Sequence, residues 1–440
     1  MNYFSIRNLA WVGCMALCSN FAFAADVETL NQTSTAWVIT ATVLVMIMFI
    51  PGLALFYGGM IRGKNVLSIC TQFFAFAGIV GLMWIAFLYS LVVDATGMQE
   101  GVFNIHSFIG GLDKAFLKGM TEYTMSGEIP EYVLTVFLMT FAMITPAIVV
   151  GGYAERMKFG ALIMFVILWP VFVYAPMAHM VWGGPGSAMH NWGVLDFAGG
   201  TAVHINSGIA ALVGALMLGR RKGWKTSSLA PHNLVYTFIG AGLLWAGWFG
   251  FNVGSALAAN HSAALIFMNT QVAACGGIVG WMLIEKITNK HVTSLGLASG
   301  AIAGLVGITP AASFVGPFGA SVIGLLTGMV CFFAVTRLKH KLNIDDSLDV
   351  FALHGIGGIV GGILTGIFAA PIFGGNVEGL QFVPQFFAQM IGIIVTIVYS
   401  AFFTWLIFKI IDLTVGLRVS EEHEEQGLDL SDHNERAYNG

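Results

Sequence analysis

Two histidines, His204 and His354, stand in long apolar stretches, and each follows an aspartate (Asp196 and Asp346) by eight residues. Ionisable side chains within apolar segments are costly to place and mark function by default. If the two segments meet, their imidazoles cannot both carry charge at low cost. The expected state is a neutral pair sharing one hydrogen bond, one ring donating and the other accepting. The remaining ring atoms would line a narrow passage that hydrogen-bonds a small polar solute and excludes hydrated ions. Asp196 is expected at the mouth of that passage. A carboxylate there attracts cations, and it also suits a helix N-cap before the Gly-rich run that follows; the two roles are compatible.

Other chemistries fit less well. The pair read as core histidines would do no chemistry. Axial ligation of haem would call for more than one histidine pair and roomier helix packing. A transition-metal permease would draw on His179, His190, His204 and His354, yet the chain beyond residue 24 has no cysteine or methionine ligand pairs at metal spacing. No nucleophile–base triad, phosphate loop or metal cluster points to an enzyme, and no cofactor or metal is expected.

The elements that must position these residues are membrane helices. Of 440 residues, 57% are hydrophobic and 10% charged, against about 25% charged in ordinary soluble chains. The charges gather in short islands between long apolar runs, the pattern of a polytopic helical membrane protein in contact with lipid. The 55 glycines suit closely packed membrane helices. A net charge of −4 gives no reason to expect a nucleic-acid partner. The first 24 residues read as a signal peptide: Arg7, an apolar stretch, then Ala22-Phe23-Ala24 before a mature start at Ala25. Of five cysteines, Cys70, Cys275 and Cys331 would remain, each as a small packing residue in an apolar run.

Eleven spans are predicted at 37–56, 67–93, 132–150, 159–181, 199–218, 232–250, 263–284, 295–308, 315–334, 350–367 and 385–408. The eighth is short, so it either begins earlier or lies buried among its neighbours. Arg62 and Lys64 follow the first span, Arg156 and Lys158 the third, Arg220, Arg221, Lys222 and Lys225 the fifth. Lys286 and Lys290 follow the seventh, and Arg337, Lys339 and Lys341 the ninth, whereas the alternate loops hold only Lys114 and Lys118. The positive-inside rule therefore puts the N-terminus outside and the C-terminal tail in the cytoplasm. His204 opens a span entering from outside and His354 one entering from inside. With the matched Asp-to-His spacing, this predicts an all-α membrane fold of five plus five helices in an inverted-topology repeat, with one extra helix.

Several segments resemble the Amt/Mep/Rh ammonium transporter family, in its bacterial Amt branch. They are Leu195-Asp196-Phe197-Ala198-Gly199-Gly200-Thr201-Ala202-Val203-His204, Phe56-Tyr57-Gly58-Gly59-Met60-Ile61-Arg62-Gly63-Lys64-Asn65, Gly247-Trp248-Phe249-Gly250-Phe251-Asn252 and His354-Gly355-Ile356-Gly357-Gly358. The resemblance runs in order from Trp37 to Tyr438. It implies an eleven-helix membrane domain at 25–414, assembled as a homotrimer in the bacterial inner membrane, with a periplasmic N-terminus. It also implies an outer ammonium site on Phe141, Trp182 and Ser255, where aromatic faces replace lost water and the serine hydroxyl accepts from the ion. A stacked phenyl gate of Phe141 and Phe251 follows, then a pore of His204 and His354 bordered by Phe56, Trp248 and Thr309. Ammonia would cross this pore after ammonium is deprotonated, with the proton on a separate route. The tail at 415–440, with Gly416-Leu417-Arg418-Val419, an acidic run and Ala437-Tyr438, resembles the family's regulatory tail. That tail is implied to pack across neighbouring subunits and to engage a PII-type signal protein. By composition alone the segment would be a solvated acidic end. The alternative within the family is a membrane ammonium sensor, which would carry an output domain larger than this tail.

Overall fold

The computed structural model describes residues 29–438; the expected signal peptide lies outside them. Apolar runs of this length satisfy every backbone group in lipid only as helices, and the chain is helical along each predicted span. Ten helices among the described residues are long and apolar enough to cross a membrane: α1 (Gln32–Met60), α2 (Gly63–Val93), α3 (Glu131–Gly152), α4 (Phe159–Trp182), α5 (Gly200–Leu218), α6 (Leu234–Val253), α7 (His261–Asn289), α9 (Pro317–Lys341), α10 (Phe351–Phe368) and α11 (Phe382–Thr414). Between α7 and α9 lies α8 (Ser294–Ile308), apolar but only 15 residues long. Its residues are almost all buried among neighbouring helices, as the second reading of the eighth span expects. Close approach makes this possible: a Cβ on Gly304 would strike the backbone of α7 at Ala273 and Gly277.

The helices that carry the histidines cross at their glycines. α5 packs on the first turns of α10, and a Cβ on Gly208 would fall on the backbone of Gly355. Only a glycine pair lets the two backbones come this near, and that nearness brings the imidazoles within reach of each other. Both histidines also sit in π turns, Gly200–Ile205 and Phe351–Ile356. Such wide turns are rare and gather at functional sites. Further π turns fall in α1 (Met48–Leu53) and α6 (Phe249–Val253), and in α4 (Pro170–Tyr174) and α9 (Ala334–Leu338); a last one, Trp84–Leu88 in α2, has no counterpart in α7.

The loops after α1, α3, α5 and α9 meet on one face through a buried ionic network. Glu155 accepts from Arg62 at 2.6 Å, from Asn65 at 2.7 Å and from Arg221, while Arg221 also reaches Asp345 at 2.7 Å. Arg156 is fully buried and donates to the carbonyls of Gly152, Gly219 and Asp345. The tail lies on this same face and is ordered as two short helices, α12 (Glu421–Gln426) and α13 (Leu428–His433). Its acidic groups do not simply face water. Asp429 accepts from the Ser68 amide at 2.7 Å and Asp432 from the Phe159 amide at 3.1 Å, so the tail caps the N-termini of α2 and α4. Glu424 binds Arg418 at 2.7 Å and the Lys222 amide at 2.6 Å, and Tyr438 meets His232 at 3.0 Å. These contacts run along the chain's own loops.

On the opposite face, the loop from residue 94 to 130 ends in a hairpin of β1 (Met125–Ser126) and β2 (Ile129–Pro130). Glu128 in that hairpin turn accepts from Ser34 at 2.5 Å and Asn31 at 3.1 Å, tying the loop to the start of α1.

Candidate functional site

A cavity of about 370 Å³ opens between α3, α4 and the end of α6, and Phe141, Trp182 and Ser255 are on its wall. Trp182 and Ser255 are part-exposed, while Phe141 is buried. The Ser255 hydroxyl donates to the Phe251 carbonyl at 2.8 Å, which leaves its lone pairs to accept from a ligand. Trp182 meets Phe141 edge to face, with centroids 5.7 Å apart and planes at 88°. Behind Phe141, Phe251 stacks on it at 4.1 Å and 21°, so the cavity ends at two overlapping rings.

The ring series continues inward. His204 lies 5.9 Å from Phe251 and stacks at 5.4 Å on Trp248. His204 and His354 face each other Nδ1 to Nδ1 at 3.1 Å, both buried. The hydrogen-bond pattern at Thr309 allows the tautomer of His204 to be assigned. Its hydroxyl donates to the Leu305 carbonyl at 2.8 Å, so its lone pairs must receive the Trp248 indole N–H at 3.0 Å and His204 Nε2 at 3.3 Å. On this assignment His204 carries its proton on Nε2 and accepts at Nδ1. His354 then donates from Nδ1 and keeps an unprotonated Nε2. One chain of directed hydrogen bonds thus runs from Leu305 through Thr309 and His204 to His354, and it ends on a lone pair.

Asp196 does not border the cavity. Its carboxylate accepts from the amides of Gly199 (3.0 Å), Gly200 (2.6 Å) and Thr201 (2.7 Å), and from the Thr201 hydroxyl. It caps the π turn that carries His204 and forms the loop against which Trp182 rests, the indole donating to Phe197 O at 3.3 Å. Asp346 repeats the motif on α10, accepting from the Phe351 amide at 2.8 Å. Its surroundings differ: burial, together with neighbouring Asp349, pushes the Asp346 carboxyl up to about 7.

Phe56 is buried, but its ring partner is Tyr57 at 6.0 Å, and among the described residues it has no ring contact with the histidines. His179, weighed as a metal ligand with the pair, instead bonds the carbonyls of Val92 (2.8 Å) and His106 (2.7 Å). Among the cavity residues that the sequence reading of the site missed are Tyr89, Lys114 and Glu131. The usable signals were the rarity of Lys114 among outer-loop cations and the position of Glu131 directly after Pro130 at a span's start.

A model of the Ammonium Transporter Family matches residues 36–438. The chain belongs to this Amt/Mep/Rh ammonium transporter family. It is 48% identical to an ammonium transporter of Bacillus subtilis over 93% of this chain and 99% of that one. It is 46% identical to one of Aquifex aeolicus over 99% of this chain and 100% of the other. Among solved structures, Saccharomyces cerevisiae Mep2 superposes with a TM-score of 0.80 at 33% identity, covering 90% of this chain and 92% of that one. A sensor Amt protein superposes at 0.82 with 28% identity, covering 91% and 98%. This transporter is a multi-pass membrane protein with a twin-histidine motif, His204–His354, in an apolar pore region. It is not an enzyme.

Proposed function

We propose that this transporter takes ammonium from the periplasmic side and conducts it inward as ammonia. The observation that carries this reading is the unbroken order of rings from the cavity to the histidines. Trp182 and Phe141 meet Phe251, then His204, then His354. Ammonium in the cavity exchanges water for the faces of Trp182 and Phe141 and for the Ser255 hydroxyl. It loses a proton near the stacked gate, because the apolar pore beyond offers no compensation for charge. Ammonia then passes the histidine pair, where the His354 Nε2 lone pair is an acceptor for its N–H. It is reprotonated on the cytoplasmic side, and a proton crossing separately makes uptake electrogenic. Asp196 acts by positioning, holding the His204 turn and the Trp182 wall; Phe56, Trp248 and Thr309 border the path.

The same proposal covers the assembly: eleven spans at 25–414, a regulatory tail at 415–440 and a signal peptide at 1–24. The paired π turns of α1 and α6, α4 and α9, and α5 and α10 support the five-plus-five repeat, as do the matching caps of Asp196 and Asp346. The basic loops and the tail on one face support a cytoplasmic C-terminus and an inner-membrane location. The homotrimer and the PII-type partner rest on family resemblance. The test is current across a planar membrane containing purified protein. Ammonium pulses are expected to evoke current and potassium pulses none; equal currents would refute a selective pore, and silence to both would favour sensing over transport.

A further inference from the structure

The cavity holds a cation of its own. Lys114 and Glu131 line it together with Phe141, Trp182 and Ser255. Glu131 is the first residue of α3, and its Oε1 accepts from Lys114 Nζ at 2.5 Å and from the Tyr89 hydroxyl at 2.7 Å. Among the described residues its Oε2 has no hydrogen-bond donor, and it is not sealed from solvent. The Lys114 backbone is pinned, its amide bonding Ser90 Oγ at 3.0 Å, but its side chain is 39% exposed. The ammonium also lies 6.0 Å from the centre of the Tyr89 ring.

A carboxylate at the first turn of a helix is explained by the helix dipole. That does not explain a lysine ammonium placed in a cavity whose other walls suit cations. The Lys114 head group has the chemistry of the transported ion: a compact –NH3+ with N–H donors. Its partners, a carboxylate and an aromatic ring, are of the types that would hold free ammonium. Lys114 is also one of only two cations in the outer loops.

We propose that Lys114 is a tethered competitor that occupies the Glu131 carboxylate and thereby sets the apparent affinity of the vestibule for ammonium. The proposal rests on the vestibule reading above. With the pair intact the local charge is zero. Removing the lysine leaves an unpaired carboxylate that recruits ammonium; removing the carboxylate leaves an unpaired cation that repels it. A pair that merely fastened the loop to α3 would respond in the same direction to loss of either partner.

The test is half-saturating ammonium concentration, from currents of full-length protein in planar membranes. Lys114→Met is expected to lower it about fivefold and Glu131→Gln to raise it about fivefold, the size of a charge change several ångströms away in a partly aqueous site. The double variant and Lys114→Arg are expected to return to about the wild-type value, and added salt to shrink the single-variant differences. An unchanged or raised value for Lys114→Met overturns the proposal, and so do single variants that shift the same way. Should Glu131→Gln fail to fold, Lys114→Met against Lys114→Arg still decides. Trp182→Leu in the same series separates the two readings. If it weakens ammonium saturation while Lys114→Met is silent, only the competitor is lost; if it leaves saturation unchanged, the vestibule reading itself fails.

Discussion

His204 and His354 meet through their Nδ1 atoms, 3.1 Å apart, and not through Nε2. The shared bond is thus spent inside the pair, and the pore gains a neutral wall with one free acceptor. An acid in place of either imidazole would offer a charge to a bare cation. His204→Asp and His354→Asp are therefore expected to lose ammonium selectivity and pass potassium, because the penalty for a desolvated cation falls. Replacing both by apolar residues is expected to reduce flux of both species. Paired ammonium and potassium currents distinguish these outcomes, and acidic variants with wild-type selectivity and flux would place the pair outside the pore.

Thr309 sets the direction of the chain. Thr309→Val removes the acceptor of two buried N–H donors, on Trp248 and His204, at a cost of about 1–3 kcal/mol per orphaned group. Ammonium flux is expected to fall about tenfold, a barrier change of about 1.4 kcal/mol, while Thr309→Ser retains most of it. Equal activity of the valine variant would show that the His204 tautomer is not set here.

Asp196→Ala is expected to abolish transport, and Asp196→Glu to leave at most a remnant. The carboxylate meets three consecutive amides and a hydroxyl at once, and one added methylene displaces it. Uptake of labelled methylammonium by membranes of equal protein content reports the result; near-normal uptake by the alanine variant would make the cap dispensable.

Deleting the chain after Val415 removes Asp429 and Asp432 from the starts of α2 and α4. Lower flux is expected, along with weaker capture of a PII-type protein in pull-downs. Undiminished capture by the truncated form would place that partner's site elsewhere.

Glu155 supplies a pH signature. Burial pushes its carboxyl up, but the guanidinium groups of Arg221 and Arg62 outweigh this and hold it below the usual carboxylate range. A carboxyl lowered by folding stabilises the protein above its ordinary value, and that contribution is lost as pH falls through the folded value. Wild-type melting temperature in detergent is expected to hold from pH 7 to about 5 and to fall at lower pH. Glu155→Gln is expected to melt lower at pH 7, since breaking a buried pair costs about 3–5 kcal/mol, and to converge with wild type in acid. Parallel curves for the two proteins would exclude this role.

The spans and the histidine pair were legible in the sequence for one reason: lipid permits few solutions. Apolar runs must be helices, and His204 and His354 stand out where charge is rare. Other features were hidden by distance along the chain. Lys114 reaches Glu131 across an irregular loop with no periodicity to read, and Asp429 caps a helix 361 residues earlier. An acidic tail looks solvated until the amides it satisfies are known. Asp196 was legible as a cap, but only coordinates reveal that all its acceptor capacity turns toward the loop and not toward the cavity.

In the proposed mechanism, the overlap of Phe141 and Phe251 at 4.1 Å has an electrical consequence: charge crosses only as the proton that accompanies each ammonia. An open file of water would join the two bulk solutions into one conductor and discharge the membrane through every copy. Two rings in van der Waals contact would interrupt that file, so under this proposal a membrane crowded with these proteins spends its voltage only on the solute it takes up.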